Sequence, residues 1–300
     1  MGNSYWSYHC TTWSTLLFRI INSSQKEKYI MIQAKNIHFS IGKKTILQNV
    51  NLTIKPGSFT AVVGSNGAGK STLLRIMSGE LTPTMGNVFV NGTPVQTIKT
   101  LELAKIRAVM NQKVLVSLPF RANEVVMLGR QPHQMTHHDN LKIVDKVMKL
   151  TDTFHLRNRV YQTLSGGEQQ RVQMARVLAQ LFDSVSLNTF LLLDEPTSSL
   201  DVSCQHLIFQ IAKDLAKSGM GVFAIVHDLN LASQYADEVV LLKQGKIYDK
   251  GIPNEVFTEE ILTEVFDYPI QVISLLDEQK PIILSRATEF NKSLNHVNSI

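Results

Sequence analysis

An α/β fold built on a parallel sheet is predicted by three observations in this 300-residue chain. The run Phe59 to Val63 reads as a strand buried on both faces, and it is followed by glycine-rich residues 64–69 and a helix-like run, Leu73 to Met77. Three further short apolar runs, 190–193, 222–226 and 239–242, each stop at polar residues. From about Val114 to Leu164 the apolar positions fall at helical spacing, with Leu141, Val144, Val147, Met148 and Leu150 on one face.

The elements follow in order. Residues 1–30 carry a patchily apolar stretch, Trp13 to Ile21, with no basic segment before it and no small-residue cleavage site after it, so it does not read as a secretory signal. A disordered extension is expected there. At Met31 an alternating strand pattern begins, turns at Gly42-Lys43-Lys44 and continues to Ile54, an antiparallel lead-in that closes on the turn Lys55-Pro56-Gly57. Gly79 stops the first helix, 81–86 reads as a loop, and 87–90 is a strand before the turn at Asn91-Gly92. Ile106 to Met110 is a strand ending at Asn111-Gln112, and 114–164 is a helical insertion. The connection 181–188 is longer than it needs to be and is expected on the surface. Lys243 to Lys246 reads as a hairpin turn.

Bulk composition limits the classes of function. With 44% hydrophobic and 18% charged residues the chain is globular, and no apolar run approaches the roughly 18 residues that span a bilayer. A net charge of +5 and a pI near 9.1 come from scattered basic residues, so nucleic acid is not an expected partner. Cys10 and Cys204 are far apart and lack metal-ligand spacing, which suits a reducing compartment. His133, His137 and His138 cluster without ligand spacing and are expected in a solvated loop. One main domain with added pieces is expected from the length.

The stretch Gly64-Ser65-Asn66-Gly67-Ala68-Gly69-Lys70-Ser71-Thr72 has the spacing of a phosphate-binding loop. Glycines remove the Cβ atoms that would keep backbone N–H groups from a polyphosphate, and the following helix aims its positive dipole end at the charge. Lys70 is expected to reach the β and γ phosphates, and Ser71 to offer its hydroxyl to Mg2+. A second motif, Leu164-Ser165-Gly166-Gly167-Glu168-Gln169-Gln170-Arg171, opens another helix whose N-terminus suits an anion. Two anion sites are redundant in one molecule unless two subunits face each other. The polar residues Asp194-Glu195 and His227-Asp228 stand at strand ends, where ligands of open α/β sheets bind.

The order of these motifs resembles the ATP-binding cassette (ABC) ATPases, over about Ile32 to Phe257. That resemblance implies a P-loop nucleoside triphosphatase core with an antiparallel β subdomain and an inserted helical subdomain. It implies an ATPase domain over 31–270 and a C-terminal tail over 271–300. Ser165, Gly166 and Gly167 would close over ATP held by a second copy, and the loop after Pro196 would join the two. Asp194 would organise Mg2+ with Ser71, and Glu195 would orient or deprotonate the attacking water. Gln112 would sense both metal and water, and His227 would contact the γ-phosphate. The family usually has an aromatic residue where Ile41 stands; Phe39, on the same strand face, is a candidate substitute for stacking on adenine, the alternative being apolar contact from Ile41 alone.

The segment Leu118 to His133 resembles importers of iron chelates, cobalamin and heme, and Gly251-Ile252-Pro253 with 280–284 is most similar to the hemin-importing members. The implied role is an energy-coupling ATPase, peripheral on the cytoplasmic face of the inner membrane. Its expected partners are a second copy, transmembrane permease subunits and, indirectly, a periplasmic substrate-binding protein. Ferric-siderophore or cobalamin import is the alternative. A soluble cassette that acts on ribosomes or DNA fits less well, since one phosphate loop and no heptad run are present.

Overall fold

The alternating segment after Met31 folds as β1 (Ile32–Ile41) and returns as β2 (Lys44–Ile54), antiparallel, in a computed structural model that describes residues 31–112, 116–184, 189–197, 200–273 and 280–285. The extension expected at 1–30 lies outside the described residues, as do 185–188 of the long connection and Ser198-Ser199 of the loop after Pro196. Ile32, Ala34 and Ile37 of β1 are buried with Leu47, Val50, Leu52 and Ile54 of β2. The run Phe59 to Val63 forms β3 (Phe59–Val63), buried at every position. Beyond α1 (Lys70–Met77), β4 (Met85–Val90) pairs with the other edge of β1 and β5 (Thr93–Pro94) completes a four-stranded antiparallel sheet in the order β2-β1-β4-β5. Met85 and Gly86, expected in a loop, belong to β4, because pairing with β1 begins at His38 opposite Met85.

The larger sheet holds six strands. After α2 (Thr100–Ile106) come β6 (Arg107–Met110), β7 (Phe190–Asp194), β8 (Gly221–Ile225), β9 (Glu238–Lys243) and β10 (Lys246–Gly251), in the order β10-β9-β3-β8-β7-β6. All pairs are parallel except the β9–β10 hairpin, which turns at Gln244-Gly245 as expected. The helix α2 was not expected, and it takes Ile106 out of the strand that the apolar run suggested. Alternate side chains of β3 enter different cores: Phe59, Ala61 and Val63 face the helical side, and Val62 faces α1 and the antiparallel sheet.

The parallel register aligns the carboxyl ends of the strands. Val62 of β3 and Asp194 of β7 both pair with Ile225 of β8, and Met110 of β6 pairs with Leu193. The segments leaving β3, β6, β7 and β8 therefore emerge at one edge.

Between β6 and β7 lie α3 (Ala122–Met127), α4 (His137–Leu150) and α5 (Gly166–Leu181), with short 3-10 turns between them. Ile143, Val144, Val147 and Met148 form the buried face of α4, whereas Leu141 and Leu150 are only partly buried. Gly129 lets the turn after α3 press on α5, since a Cβ there would sit 2.1 Å from the Arg176 carbonyl oxygen. Next to it the buried Arg130 donates to Asn140 Oδ1 (2.9 Å), to the Ala179 carbonyl (2.7 Å) and to Asp183. His133 is not in a solvated loop: its Nε2 lies 2.7 Å from the Gln180 carbonyl oxygen and its ring is largely covered. His137 and His138 are exposed on the first turn of α4.

On the same face of the large sheet as α3, α4 and α5, α6 (Val202–Lys217) links β7 to β8 and α7 (Leu229–Tyr235) links β8 to β9. After β10 come α8 (Pro253–Val256), α9 (Glu259–Phe266) and a separate antiparallel pair, β11 (Ile270–Ile273) with β12 (Ile282–Ser285). Of the tail expected at 271–300, residues 271–273 and 280–285 are described.

Candidate active site

Glycine geometry shapes the loop after β3. Gly64 has φ +153°, and a Cβ there would meet the Leu242 carbonyl oxygen at 2.1 Å. Gly69, at φ +101°, caps α1 with no side-chain hydrogen bond, and the first turn of α1 carries no acidic residue. The N–H groups of the first turn of α1 have no partner within the helix and lie at its positively polarised end. Ala68 and Gly69 are buried, Asn66 and Gly67 are exposed, and Ser65 and Thr72 are intermediate. Lys70 is buried and its Nζ donates to the carbonyls of Gly64 (2.7 Å) and Ser65 (3.0 Å). Burial holds this amine below its usual pKa, opposed by the nearby carboxylates of Glu195 and Asp194.

Ser71 turns its hydroxyl to the end of β7, where Oγ donates to Asp194 Oδ1 at 3.2 Å. Burial pushes the Asp194 carboxyl above its usual range, against the pull of the Ser71 hydrogen bond. A hydroxyl and a carboxylate oxygen side by side beside a polyphosphate loop are hard donors of the kind Mg2+ takes. Among the described residues no cluster of three or more His, Cys, Asp or Glu side chains forms a separate metal site.

Glu195 follows at φ +49°, left-handed backbone in which a non-glycine residue is uncommon. Its carboxylate takes a hydrogen bond from Gln112 Nε2 at one oxygen, and the other oxygen lies 2.5 Å from His227 Nε2. These three expected residues come from the ends of β6, β7 and β8 and meet in one cluster. The described side-chain hydrogen bond of Gln112 is to Glu195, while Ser71 bonds Asp194. The Gln112 carbonyl also accepts from Gln170 Nε2 of α5 at 3.2 Å, a tie that sequence reading did not find.

Ser165 is the N-cap of α5, with a reciprocal box: its Oγ accepts from Glu168 N (3.3 Å) and its own N–H donates to Glu168 Oε2 (2.7 Å). That hydrogen bond to the backbone of Ser165 holds the Glu168 carboxyl below its usual range, opposed by a smaller desolvation effect. Ser165, Gly166 and Gly167 line a cleft of about 470 Å³ with Arg171, Asp201 and Cys204. A Cβ on Gly166 would meet nothing within 4 Å, so this helix end is open to an approaching group. No residue of 64–72 lines the cleft, and within one chain the two anion-facing helix ends are separate.

The residues expected near adenine lie on the β1–β2 hairpin. Pairing of β1 with β2 shifts register between Phe39 and Ser40, and Phe39 packs against the core of the antiparallel sheet. Phe39 is partly buried there. Ile41, 65% exposed, is the apolar side chain that the hairpin presents.

A parallel sheet that gathers a phosphate loop, strand-end carboxylates, a glutamine and a histidine at one edge, with a second anion-facing helix elsewhere, defines a nucleoside-triphosphate-binding cassette. The chain belongs to the ABC transporter family, whose sequence pattern matches residues 47–198. It is 43% identical to the hemin import ATP-binding protein HmuV of Photobacterium damsela subsp. piscicida, over 85% of this chain and 96% of the relative. The HmuV protein of Escherichia coli O157:H7 is 42% identical, over 85% and 99%. Among solved structures, a metal-chelate type ABC transporter in an inward-facing conformation matches with a TM-score of 0.71 and 25% identity, covering 86% of this chain and 98% of that one. The dimeric bacterial ABC transporter cassette MJ0796 matches with a TM-score of 0.66 and 30% identity, covering 74% and 98%.

Proposed function

We propose that this protein is the ATP-hydrolysing, energy-coupling subunit of a membrane importer for hemin. The observation that carries the hydrolytic part is the Glu195 carboxylate held between Gln112 and His227 at the sheet edge where the phosphate loop emerges. Support for hemin is the identity of about four residues in ten to HmuV proteins along nearly their whole length.

Gly64 to Thr72 bind the phosphates through backbone N–H groups, and Lys70 leaves its carbonyl partners to meet the β and γ oxygens. Ser71 and Asp194 would hold Mg2+, which would supply neutralising charge to the phosphates. Glu195 accepts the proton of the attacking water, His227 and Gln112 fix the carboxylate that does so, and His227 is placed to contact the γ-phosphate. Ser165, Gly166 and Gly167 close over the nucleotide of a second copy, which accounts for the separation of the two helix ends in one chain. No helix among the described residues is long and apolar enough to cross a membrane, so import needs transmembrane permease subunits, which the helical insertion contacts. The subunit sits peripherally at the cytoplasmic face of the inner membrane. A periplasmic binding protein acts on it only through the permease, and hemin does not touch it. Residues 31–270 form the ATPase unit, to which 1–30 and 271–300 are additions.

Reconstitution with the permease in liposomes tests this reading. ATP hydrolysis with hemin uptake is expected; hydrolysis that drives a ferric chelate or cobalamin and leaves hemin outside would reassign the substrate, and no hydrolysis at all would remove the ATPase role.

A further inference from the structure

The helix that follows His227 is held from outside the nucleotide-binding core. α7 has only 7 residues, too few to be stable alone, so its orientation is set by what it packs on. Its inner face, Leu231, Ala232 and Tyr235, is buried in the helical-side core. Its outer edge is tied to the segment that leads into and forms β12. Asn230 Nδ2 donates to the Ile283 carbonyl (3.0 Å) and Asn230 Oδ1 accepts from the Ile283 N–H (2.8 Å). Ser233 Oγ donates to the Pro281 carbonyl (2.7 Å), and Lys280 Nζ donates to the carbonyl of Ala236, just after α7 (2.9 Å).

The Asn230 amide thus makes the same two bonds to Ile283 that a neighbouring strand would make, on the edge of β12 not used by β11. Asp228, between His227 and α7, caps the helix by accepting from the N–H groups of Asn230 (2.8 Å) and Leu231 (3.2 Å). His227 is therefore anchored at one end to β8 and at the other to a capped turn that Asn230 fastens to β12. Its imidazole is 46% exposed and makes its one described polar contact with Glu195, so side-chain packing does little to orient it.

We infer that Asn230 is a positioning residue for His227, and that the β12 segment is a strap through which the C-terminal part of the chain sets the hydrolysis rate. The inference rests on the proposed role of His227 in hydrolysis. Strap release would let the first turn of α7 drift and carry the imidazole off the Glu195 carboxylate, without touching the phosphate loop.

The test uses the purified full chain with the substitutions Asn230→Ala, Asn230→Asp, Ser233→Ala and His227→Ala. Asn230→Ala is expected to lower kcat by about tenfold or more while KM for ATP changes less than about twofold. The His227 imidazole resonance, assigned by its loss in His227→Ala, is expected to shift. Asn230→Asp keeps the acceptor for the Ile283 N–H and loses the donor, so an intermediate loss is expected. Ser233→Ala removes one oxygen and supplies the same readouts, with the same expected direction, if Asn230→Ala does not fold. Wild-type kcat and an unmoved imidazole signal in the folded variants would overturn the strap. So would equal losses of nucleotide affinity and kcat, which mark general loosening. If His227→Ala hydrolyses at the wild-type rate, the role of His227 fails and the strap's effect on hydrolysis fails with it. If His227→Ala is inactive while the Asn230 variants are wild-type, only the strap fails.

Discussion

His227 Nε2 lies 2.5 Å from Glu195 Oε1, while Gln112 donates to the other oxygen of the same carboxylate. One acid is held from two sides by residues 83 and 32 positions away in sequence, as given by 195 − 112 and 227 − 195. Glu195→Gln keeps the size of the side chain and removes its capacity to take a proton from water. A fall in kcat of about 10² to 10⁴ is expected. ATP should remain bound through residues 64–72, and size-exclusion with ATP should show a stalled dimer; hydrolysis at the wild-type rate would take Glu195 out of this role.

Lys70→Ala is expected to abolish ATP binding. The amine is the buried cation of the phosphate loop, parked on the Gly64 and Ser65 carbonyls at 2.7 and 3.0 Å. Calorimetric titration of the variant with ATP checks this, and wild-type affinity would contradict it.

Asp194 gives a pH signature. Burial raises its pKa, so between the usual carboxylate range and the raised value the folded protein binds more protons than the unfolded chain. Its contribution favours folding at low pH and is lost as pH rises through the raised pKa; above that the ionised carboxylate weighs against the fold. Asp194→Asn, which still accepts from Ser71, should therefore melt higher than wild type near about pH 8. The gap should close as pH falls into the usual carboxylate range. Thermal midpoints across that window, without nucleotide or Mg2+, test the sign; a variant that melts lower at every pH would refute it.

Gly129→Ala should loosen the helical insertion. Its Cβ would stand 2.1 Å from the Arg176 carbonyl oxygen of α5, backbone that cannot swing aside. A loss of about 1–3 kcal/mol is expected from such overpacking, read as a lower denaturant midpoint. Nucleotide binding to residues 64–72 should persist in the folded fraction.

The local parts were legible in the sequence. Strand, loop and helix around Lys70, the helix opened by Ser165, and the strand-end positions of Asp194, Glu195 and His227 follow from periodicity and spacing, because backbone pairing and glycine geometry act over a few residues. The Ser165–Glu168 box is a short-range signal of the same kind, present in the sequence and passed over. Tertiary structure alone decided the rest. Ile225 pairs with both Val62 and Asp194, and through that register Gln112, Glu195 and His227 share one edge. Asn230 likewise finds Ile283 across 53 positions. Each of these depends on hydrogen-bond pairing between segments far apart in the chain. Such partners are selected by the packing of the whole sheet, and no local pattern of residues encodes them.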